Sequence, residues 1–401
     1  MGREGDGLAR TDGRPVPVPF TLPGEVVETD PLRIIDPSPE RVKPVCGHFG
    51  ICGNCALQHW AAAPMLSWKR ALVVEAFGRE GLDPTVEATV PVPLGSRRRA
   101  AFALKVEGHG AVGLAFHERR SHDTFLVEEC PILRPEIEGR LSAPAMLARV
   151  MVASVTGVVV TACENGLDVQ LVARRQPNDE ERRGFTRLLR DHVEGVARLS
   201  VNDEVVLAPE APFVRFGDVA VTPPPGAFLQ ATRESEAAMA ALVTDHVGGA
   251  KRTVDLFAGC GTFALRLGGT VHAVDDAGPS LDALAKAARV GGRDAVTVER
   301  RDLFERPLSA KELERFDGLV LDPPRAGAQA QIREIARTDI TRIAYVSCNP
   351  QTLARDARML ADGGWRIASV TPVDQFLFSP HVEAVALFER PKRKKKRPLF
   401  G

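Results

Sequence analysis

Long apolar runs are missing from this sequence. No stretch approaches 18 uncharged apolar residues, so no membrane-spanning helix is expected. The opening MGREGDGLAR has no apolar core, so no secretory leader is expected either. Charge of one sign is missing: 52 Lys and Arg face 52 Asp and Glu, so any basic surface must be local. One such place is Arg390 to Arg397 (RPKRKKKR), with seven basic residues and no acidic one. Such a run is most often solvated, and it can add nonspecific phosphate affinity. Internal repeats are absent. Cysteine is too sparse for a secreted disulfide scaffold, and its total of seven is odd. Three of the seven nevertheless fall within ten residues, at Cys46, Cys52 and Cys55. The expectation is a cytoplasmic protein that uses thiols for metal binding and chemistry. At 44% hydrophobic and 26% charged residues, the composition excludes a wholly disordered or fibrous chain. A length of 401 residues suggests two or three domains.

The texture of the chain changes along its length. Residues 1–40 mix turn residues with short apolar pieces such as RPVPVPF and GEVVET, which predicts a few short strands without a large core. Residues 41–62 hold the cysteine cluster. Residues 63–94 form a connection in which Pro64 to Gly78 suit a helix. Residues 95–222 contain strand-like RRRAAFALKVE, AVGLAFHE, VVVTAC and LDVQLVA and helical NDEERRGFTRLLRDHV, a central α+β domain. Residues 223–390 repeat strand, turn and helix: TVDLFAG, VHAVDD, a helix with Leu281, Leu284 and Ala288 on one face, FDGLVLD, RIAYVSC, a helix with Leu353, Ala357 and Leu360, WRIASVTPV and EAVALFE. This pattern predicts an α/β unit with a mostly parallel sheet and helices on both faces, and ligands beyond the carboxyl ends of the strands. Residues 391–401 form a basic tail.

Candidate chemistry collects at those strand ends. The turn from Phe257 to Thr262 carries Gly259 and Gly261 and follows a strand read as opening with Asp255. Glycines let backbone approach a ligand at a helix N-terminus. Asp275 ends the next strand, where it suits ribose hydroxyls. Alone, this turn fits NAD or a plain structural turn as well. With the later motifs it favours S-adenosylmethionine. Asp322-Pro323-Pro324-Arg325 follows the fourth strand, the prolines stiffening its exit; a turn residue or helix N-cap is the bland alternative. Cys348, in Ser347-Cys348-Asn349-Pro350, tips the fifth strand near a helix N-terminus, which lowers a thiol pKa. An inert buried cysteine is its alternative. Glu383 stands at the mouth of the last strand, where burial is costly without work or a partner. His381 is read as packing or RNA-facing. Cys46, Cys52 and Cys55, with Cys130 as a fourth thiolate, suit either zinc or an iron–sulfur cluster, and spacing does not choose. Cys163 reads as strand interior and Cys260 as turn filler. Arg97, Arg98 and Arg99 face RNA or form an exposed strand edge.

The motifs CGHFGICGNCALQH, FLQAT, DLFAGCGTF, LDPPRAG, YVSCNPQTLARD and HVEAVALF, in this order, resemble the bacterial RNA uracil-5-methyltransferase family, in particular its iron–sulfur-containing 23S rRNA type. The likeness covers about residues 40–390. It implies a Rossmann-like class I methyltransferase sheet, a central α+β domain and a short N-terminal remnant of the RNA-binding TRAM barrel, since the chain reaches its cysteines too soon for five strands. It implies Cys348 as the nucleophile, Glu383 as the base removing the C5 proton, and Gln230, Phe257, Thr262, Asp275, Asp302 and Asp322 around the cofactor or target base. It implies Cys46, Cys52, Cys55 and Cys130 as ligands of a [4Fe-4S] cluster. The sequence departs from the family at Thr232, where Asn is usual, at Asp275, where Glu is usual, and in AARVGGR, which lacks the usual asparagine.

The implied reaction is S-adenosyl-L-methionine-dependent C5 methylation of a uridine in RNA, 23S rRNA favoured over tRNA, with no DNA or membrane partner and a monomer favoured. Uracil C5 is a poor nucleophile, and addition of Cys348 to C6 would activate it. The base must first leave its stack. Rival readings are an RNA cytosine-C5 or adenine-nitrogen methyltransferase, a noncatalytic iron–sulfur RNA-binding protein, and an NAD-dependent oxidoreductase; the last explains neither Cys348 nor Glu383.

Overall fold

The computed structural model describes residues 1–11, 14–106, 108 and 111–390; the basic tail at 391–401 lies outside the described residues. Strands β1 (Gly7–Thr11) and β2 (Arg14–Val18) form one antiparallel hairpin, and β3 (Val26–Thr29) and β4 (Leu32–Asp36) another. The hairpins are separate two-stranded sheets rather than parts of one barrel. Asp6 fastens this segment to the central domain through Arg119 at 2.5 Å and Arg120 at 2.9 Å. Helix α1 (Ala62–Arg79) runs slightly beyond the expected 64–78 and buries Met65, Lys69, Val73, Ala76 and Phe77.

The central domain is built on one mixed sheet. Its elements are β5 (Arg99–Val106), β6 (Val112–His117), β7 (Thr124–Leu126), α2 (Pro135–Glu138), α3 (Ser142–Arg149), β8 (Val155–Cys163), β9 (Gly166–Ala173), α4 (Asp179–Asp191), β10 (Val196–Val201) and β11 (Glu204–Leu207). The strand order is β11-β10-β9-β8-β5-β6-β7. Val158, Val160 and Ala162 of β8 face a core completed by Phe102, Leu147 and Phe185. Helix α4 starts at a reciprocal cap: Glu181 N–H donates to Asn178 Oδ1 at 2.9 Å, and Asn178 N–H to Glu181 Oε2 at 2.8 Å.

The remaining elements are the hairpin β12 (Val214–Phe216) and β13 (Val219–Val221), then α5 (Arg233–Val247), β14 (Arg252–Leu256), β15 (Thr270–Asp275), α6 (Gly278–Val290), β16 (Val296–Arg300), α7 (Ala310–Leu313), β17 (Gly318–Leu321), α8 (Gln329–Ile335), β18 (Arg342–Ser347), α9 (Pro350–Asp362), β19 (Arg366–Val373) and β20 (Glu383–Glu389). The sheet order is β16-β15-β14-β17-β18-β20-β19. Its first five strands are parallel, while β20 runs antiparallel to β18 and β19. Both faces are covered, which is why these strands read as continuous apolar runs. Leu319, Leu321, Ile343 and Tyr345 point into a core shared with α1, α8 and α9. Val320, Ala344 and Val346 point the other way, toward Met239, Val243 and Leu284 of α5 and α6. Val86 and Val90, just after α1, bridge to Val370 and Val373 in parallel fashion and so extend the β19 edge. Among the described residues, no helix is long and apolar enough to cross a membrane.

Candidate active site

The carboxyl ends of β14, β15, β17 and β18 lie side by side, as a parallel sheet requires, and the antiparallel β20 begins at the same edge. The turn after β14 carries three left-handed residues, Phe257, Gly259 and Gly261. A side chain added at Gly261 would strike Leu284 at 2.8 Å, so that glycine is demanded by packing. One added at Gly259 would meet open space, as suits a backbone approached by a ligand. Asp275 accepts from the Gly259 N–H and the Ala277 N–H, both at 2.8 Å, which fixes its carboxylate at the tip of β15. Asp302 accepts from Phe304 N–H at 2.8 Å and Glu305 N–H at 3.1 Å. The Phe257 ring lies 5.5 Å from that of Phe304. Thr262 gives its carbonyl to Arg266 at 2.6 Å. Asp255 is not at the start of its strand but one residue from its end, fully buried. One of its oxygens accepts from Ala264 N–H at 2.9 Å and the other has no partner among the described residues. Burial and the charge of Asp322 raise its pKa.

Register brings the expected nucleophile and base together. Ser347 of β18 pairs with Ala384 of β20, so Cys348 and Glu383 are adjacent one residue beyond that rung. Glu383 is 3% exposed rather than a solvated strand end. Burial first, then the charge of Asp322, raises its pKa, against a Gln375 N–H that favours the carboxylate. Asp322, beside them, is raised from its ordinary value to about 7 by burial and the charge of Asp275, while Gln230 opposes the shift. The thiol of Cys348 is not lowered as its place before a helix suggested. Burial and the neighbouring Glu383 push it up to about 11, and Arg325 only partly offsets them. Asn349 N-caps α9 through its bond to Gln351 N–H at 3.1 Å, and its side chain also donates to the Arg325 carbonyl at 3.1 Å. This joins the two loops that carry Asp322 and Cys348. Four acids, Asp255, Asp275, Asp322 and Glu383, thus line one desolvated edge, an environment that favours a cationic ligand such as a sulfonium.

Two side-chain amides link the acids. Gln230 Nε2 donates to Asp322 Oδ2 at 2.8 Å, and Gln375 Nε2 donates to Gln230 Oε1 at 3.0 Å and to Glu383 Oε2 at 2.9 Å. The sequence reading missed Gln375; its one signal was a polar residue directly before the apolar run Phe376 to Phe378. Thr232, where the family has Asn, N-caps α5 by accepting from Ser235 N–H at 3.0 Å.

The arginine triplet neither forms an exposed edge nor faces outward as a set. Arg98 is 1% exposed. It is paired with Glu236 and donates to the Gln230 carbonyl at 2.8 Å. Arg266 meets the other Glu236 oxygen at 2.6 Å. Arg97 and Arg99 are half-buried. A buried ion pair of this kind ties the central domain to the segment carrying Gln230. His381 packs edge-on against Phe376 with centroids 6.1 Å apart. Cys163 and Cys260 are buried, as read.

Cys46, Cys52, Cys55 and Cys130 line one cavity of about 590 Å³, together with Arg97, Phe376 and His381. All four are free thiols. Burial raises each thiol pKa, that of Cys55 to about 11 and that of Cys130 to about 12; neighbouring cysteines add to the shift at Cys52, Cys55 and Cys130, and Glu129 and Glu138 at Cys46. Among the described residues, no three His, Cys, Asp or Glu side chains are drawn into a group that could hold a metal ion. The four expected ligands therefore share a cavity without closing on a single point within it.

A profile of the tRNA (uracil-5-)-methyltransferase family matches residues 223–391, and one of the TRAM domain matches residues 1–29. An uncharacterized RNA methyltransferase of Agrobacterium fabrum is 45% identical over 97% of this chain and 98% of its own length. One of Mesorhizobium japonicum is 46% identical over 98% of each chain. The 23S rRNA (uracil(1939)-C(5))-methyltransferase RlmD of Chromohalobacter salexigens is 30% identical over 97% of this chain and 88% of its own length. Among solved structures, the tRNA (uracil-54, C5)-methyltransferase of Pyrococcus abyssi, in complex with S-adenosyl-L-homocysteine, superposes with a TM-score of 0.72 at 23% identity, covering 96% of this chain and 97% of that one. That last likeness is one of fold.

Proposed function

Because this chain belongs to the RNA (uracil-5-)-methyltransferase family, and so uses S-adenosylmethionine to methylate uracil C5 in RNA, we propose that its substrate is 23S rRNA and that transfer runs through a covalent Cys348–uracil adduct. The rRNA reading is supported by likeness to a 23S rRNA enzyme along 97% of the chain. The covalent reading is carried by one observation, the adjacency of Cys348 and Glu383 beside Asp322 at the sheet edge.

S-adenosylmethionine supplies an electrophilic methyl group. Gly259, Asp275, Phe257, Thr262 and Asp302 are the residues read as holding it, and the open space over Gly259 fits that role. Cys348 Sγ, as thiolate, adds to C6, and the C5=C6 electrons make C5 nucleophilic. C5 would take the methyl group as its bond to the sulfonium sulfur breaks, leaving S-adenosylhomocysteine. Glu383 accepts the C5 proton, the electron pair re-forms C5=C6, and the C6–S bond breaks to return the thiolate. Asp322, whose pKa near 7 lets it donate or accept, is suited to the polar edge of the base.

A [4Fe-4S] cluster is the group the family likeness implies here, and four thiols lining one cavity are compatible with it. Cys46, Cys52, Cys55 and Cys130 would hold it, and it would act as a structural crosslink between the 41–62 segment and the 95–222 domain. The methyltransferase domain is assigned to 223–390, the helical connection to 63–94 and the shortened TRAM segment to 1–40. The reading includes a monomer in a reducing cytoplasm.

The test is incubation of the enzyme with total RNA and methyl-labelled cofactor, followed by mapping of the modified uridine. Label in 23S rRNA supports the proposal; label confined to tRNA overturns the substrate. Anaerobic reconstitution giving about four irons and four sulfides per chain, lost in Cys55→Ser, supports the cluster, and zinc alone in the purified protein contradicts it.

A further inference from the structure

The reaction above gives no part to Gln375, although its amide touches four groups of the site. Gln375 lies just past β19, 3% exposed, in a loop clamped on both sides of it. Lys69 of α1 pairs with Asp374, and its Nζ donates to the Phe376 carbonyl at 3.0 Å. The Phe378 carbonyl accepts from Ala56 N–H at 2.9 Å and Leu57 N–H at 3.0 Å.

The orientation of the amide follows from a donor that cannot reverse. The Ala231 N–H can only donate, and it meets Gln375 Oε1 at 3.0 Å. Ser235 Oγ donates to the same oxygen at 2.9 Å. Nε2 must then face Glu383 Oε2 and Gln230 Oε1, and Gln230 must turn its own N–H toward Asp322. A flip of either amide would set a donor against Ala231 N–H or an acceptor against a carboxylate. Both acids thus receive an N–H, which favours them as acceptors.

We propose that Gln375 is a positioning residue for methyl transfer: its amide holds Glu383 Oε2 as an acceptor, leaving Oε1 for the C5 proton, and through Gln230 fixes the Asp322 carboxyl beside the base. This inference rests on the reading of Glu383 as the base. In that step the C5–H bond breaks, the proton goes to Glu383 Oε1, its electron pair restores C5=C6, and the C6–S bond breaks to release Cys348 as thiolate. The groups facing Glu383 are Asp322 from the end of β17, Cys348 from the end of β18 and Gln375 itself. Arg325 faces Cys348, Asp275 faces Asp322, and Asp374 is paired with Lys69. Variants at Gln375 leave all of these side chains in place.

The experiment compares wild type, Gln375→Glu, Gln375→Met and Glu383→Gln in single turnovers with a 23S rRNA fragment and methyl-labelled cofactor. Gln375→Glu keeps an acceptor for Ala231 and Ser235 and removes both N–H donors. Product release is expected to slow roughly ten- to hundredfold in both Gln375 variants, with a methylated protein–RNA adduct accumulating on denaturing gels. Affinity for S-adenosylhomocysteine should stay at the wild-type value. In Gln375→Glu the added negative charge should move the rising limb of the pH–rate profile to higher pH. Wild-type release without adduct in Gln375→Glu, while Glu383→Gln traps one, would overturn the positioning role and leave the base in place. An adduct missing from Glu383→Gln itself would remove the base and this inference together. Should Gln375→Met fail to fold, Gln375→Glu, nearly the same shape, decides alone.

Discussion

Cys348 and Glu383 leave adjacent antiparallel strands side by side, one residue past the rung that pairs Ser347 with Ala384. A thiol and a carboxyl that are 35 positions apart in the chain become neighbours because β20 inserts between β18 and β19. Glu383 raises the proton affinity of Cys348, and Asp322 raises that of both. The free site therefore holds its protons, and a cationic donor entering beside these acids shifts the balance toward the thiolate.

The Cys348 thiol, pushed up to about 11, should alkylate slowly near neutral pH. Its rate with iodoacetamide should rise about tenfold per pH unit, because only the thiolate reacts. Arg325→Ala should slow it further, since loss of the guanidinium raises the thiol pKa. Mass spectrometry of the Cys348 peptide measures both. A rate that is flat with pH would contradict the shift.

Asp322 should weaken the fold as pH rises. Its folded-state pKa of about 7 lies above the ordinary 3.8, so between those values the folded protein retains a proton that the unfolded chain has released. Stability is full below about pH 4 and falls through about pH 7. Asp322→Asn, which keeps an acceptor for Gln230, should gain roughly 1–2 kcal/mol at pH 8 and little at pH 4, while losing activity. Thermal melts at the two pH values test the sign.

The reading of the chain as strand, turn and helix from 223 to 390 rested on apolar runs that only a doubly covered sheet explains, and β14, β15, β17, β18, β19 and β20 stand where those runs lie. The exceptions have reasons. Strand β16 (Val296–Arg300) is an edge strand, partly exposed, and carries no continuous apolar run. Helix α5 is rich in alanine and buries the polar Ser235 and Glu236 along with its apolar residues, so its stripe is faint. Arg98 reads as surface charge because its partner Glu236 is 138 positions away. Gln375 is silent for the same reason, its bonds to Gln230 spanning 145 positions. Motif order pointed to Cys348 and Glu383, but the proton affinity of Cys348 was misread, because helix proximity is local and burial is not.

Lys69 is fully buried against Asp374, and both flank the Gln375 loop. Lys69→Met should leave Asp374 without a cation and destabilise the protein by about 3–5 kcal/mol. Adding Asp374→Asn should recover part of that loss. Chemical denaturation of both variants measures it; an unchanged midpoint for Lys69→Met would show that the pair is not structural.

The most direct measurement is the fate of RNA on Glu383→Gln. With a 23S rRNA fragment and methyl-labelled S-adenosylmethionine, this variant should yield a slow-migrating, methyl-labelled protein–RNA adduct that survives denaturation. Peptide mapping should place the linkage at Cys348, and Cys348→Ala should abolish both adduct and product while binding the cofactor normally. Methylated free RNA from Cys348→Ala, or an adduct mapped to another residue, would contradict the covalent account.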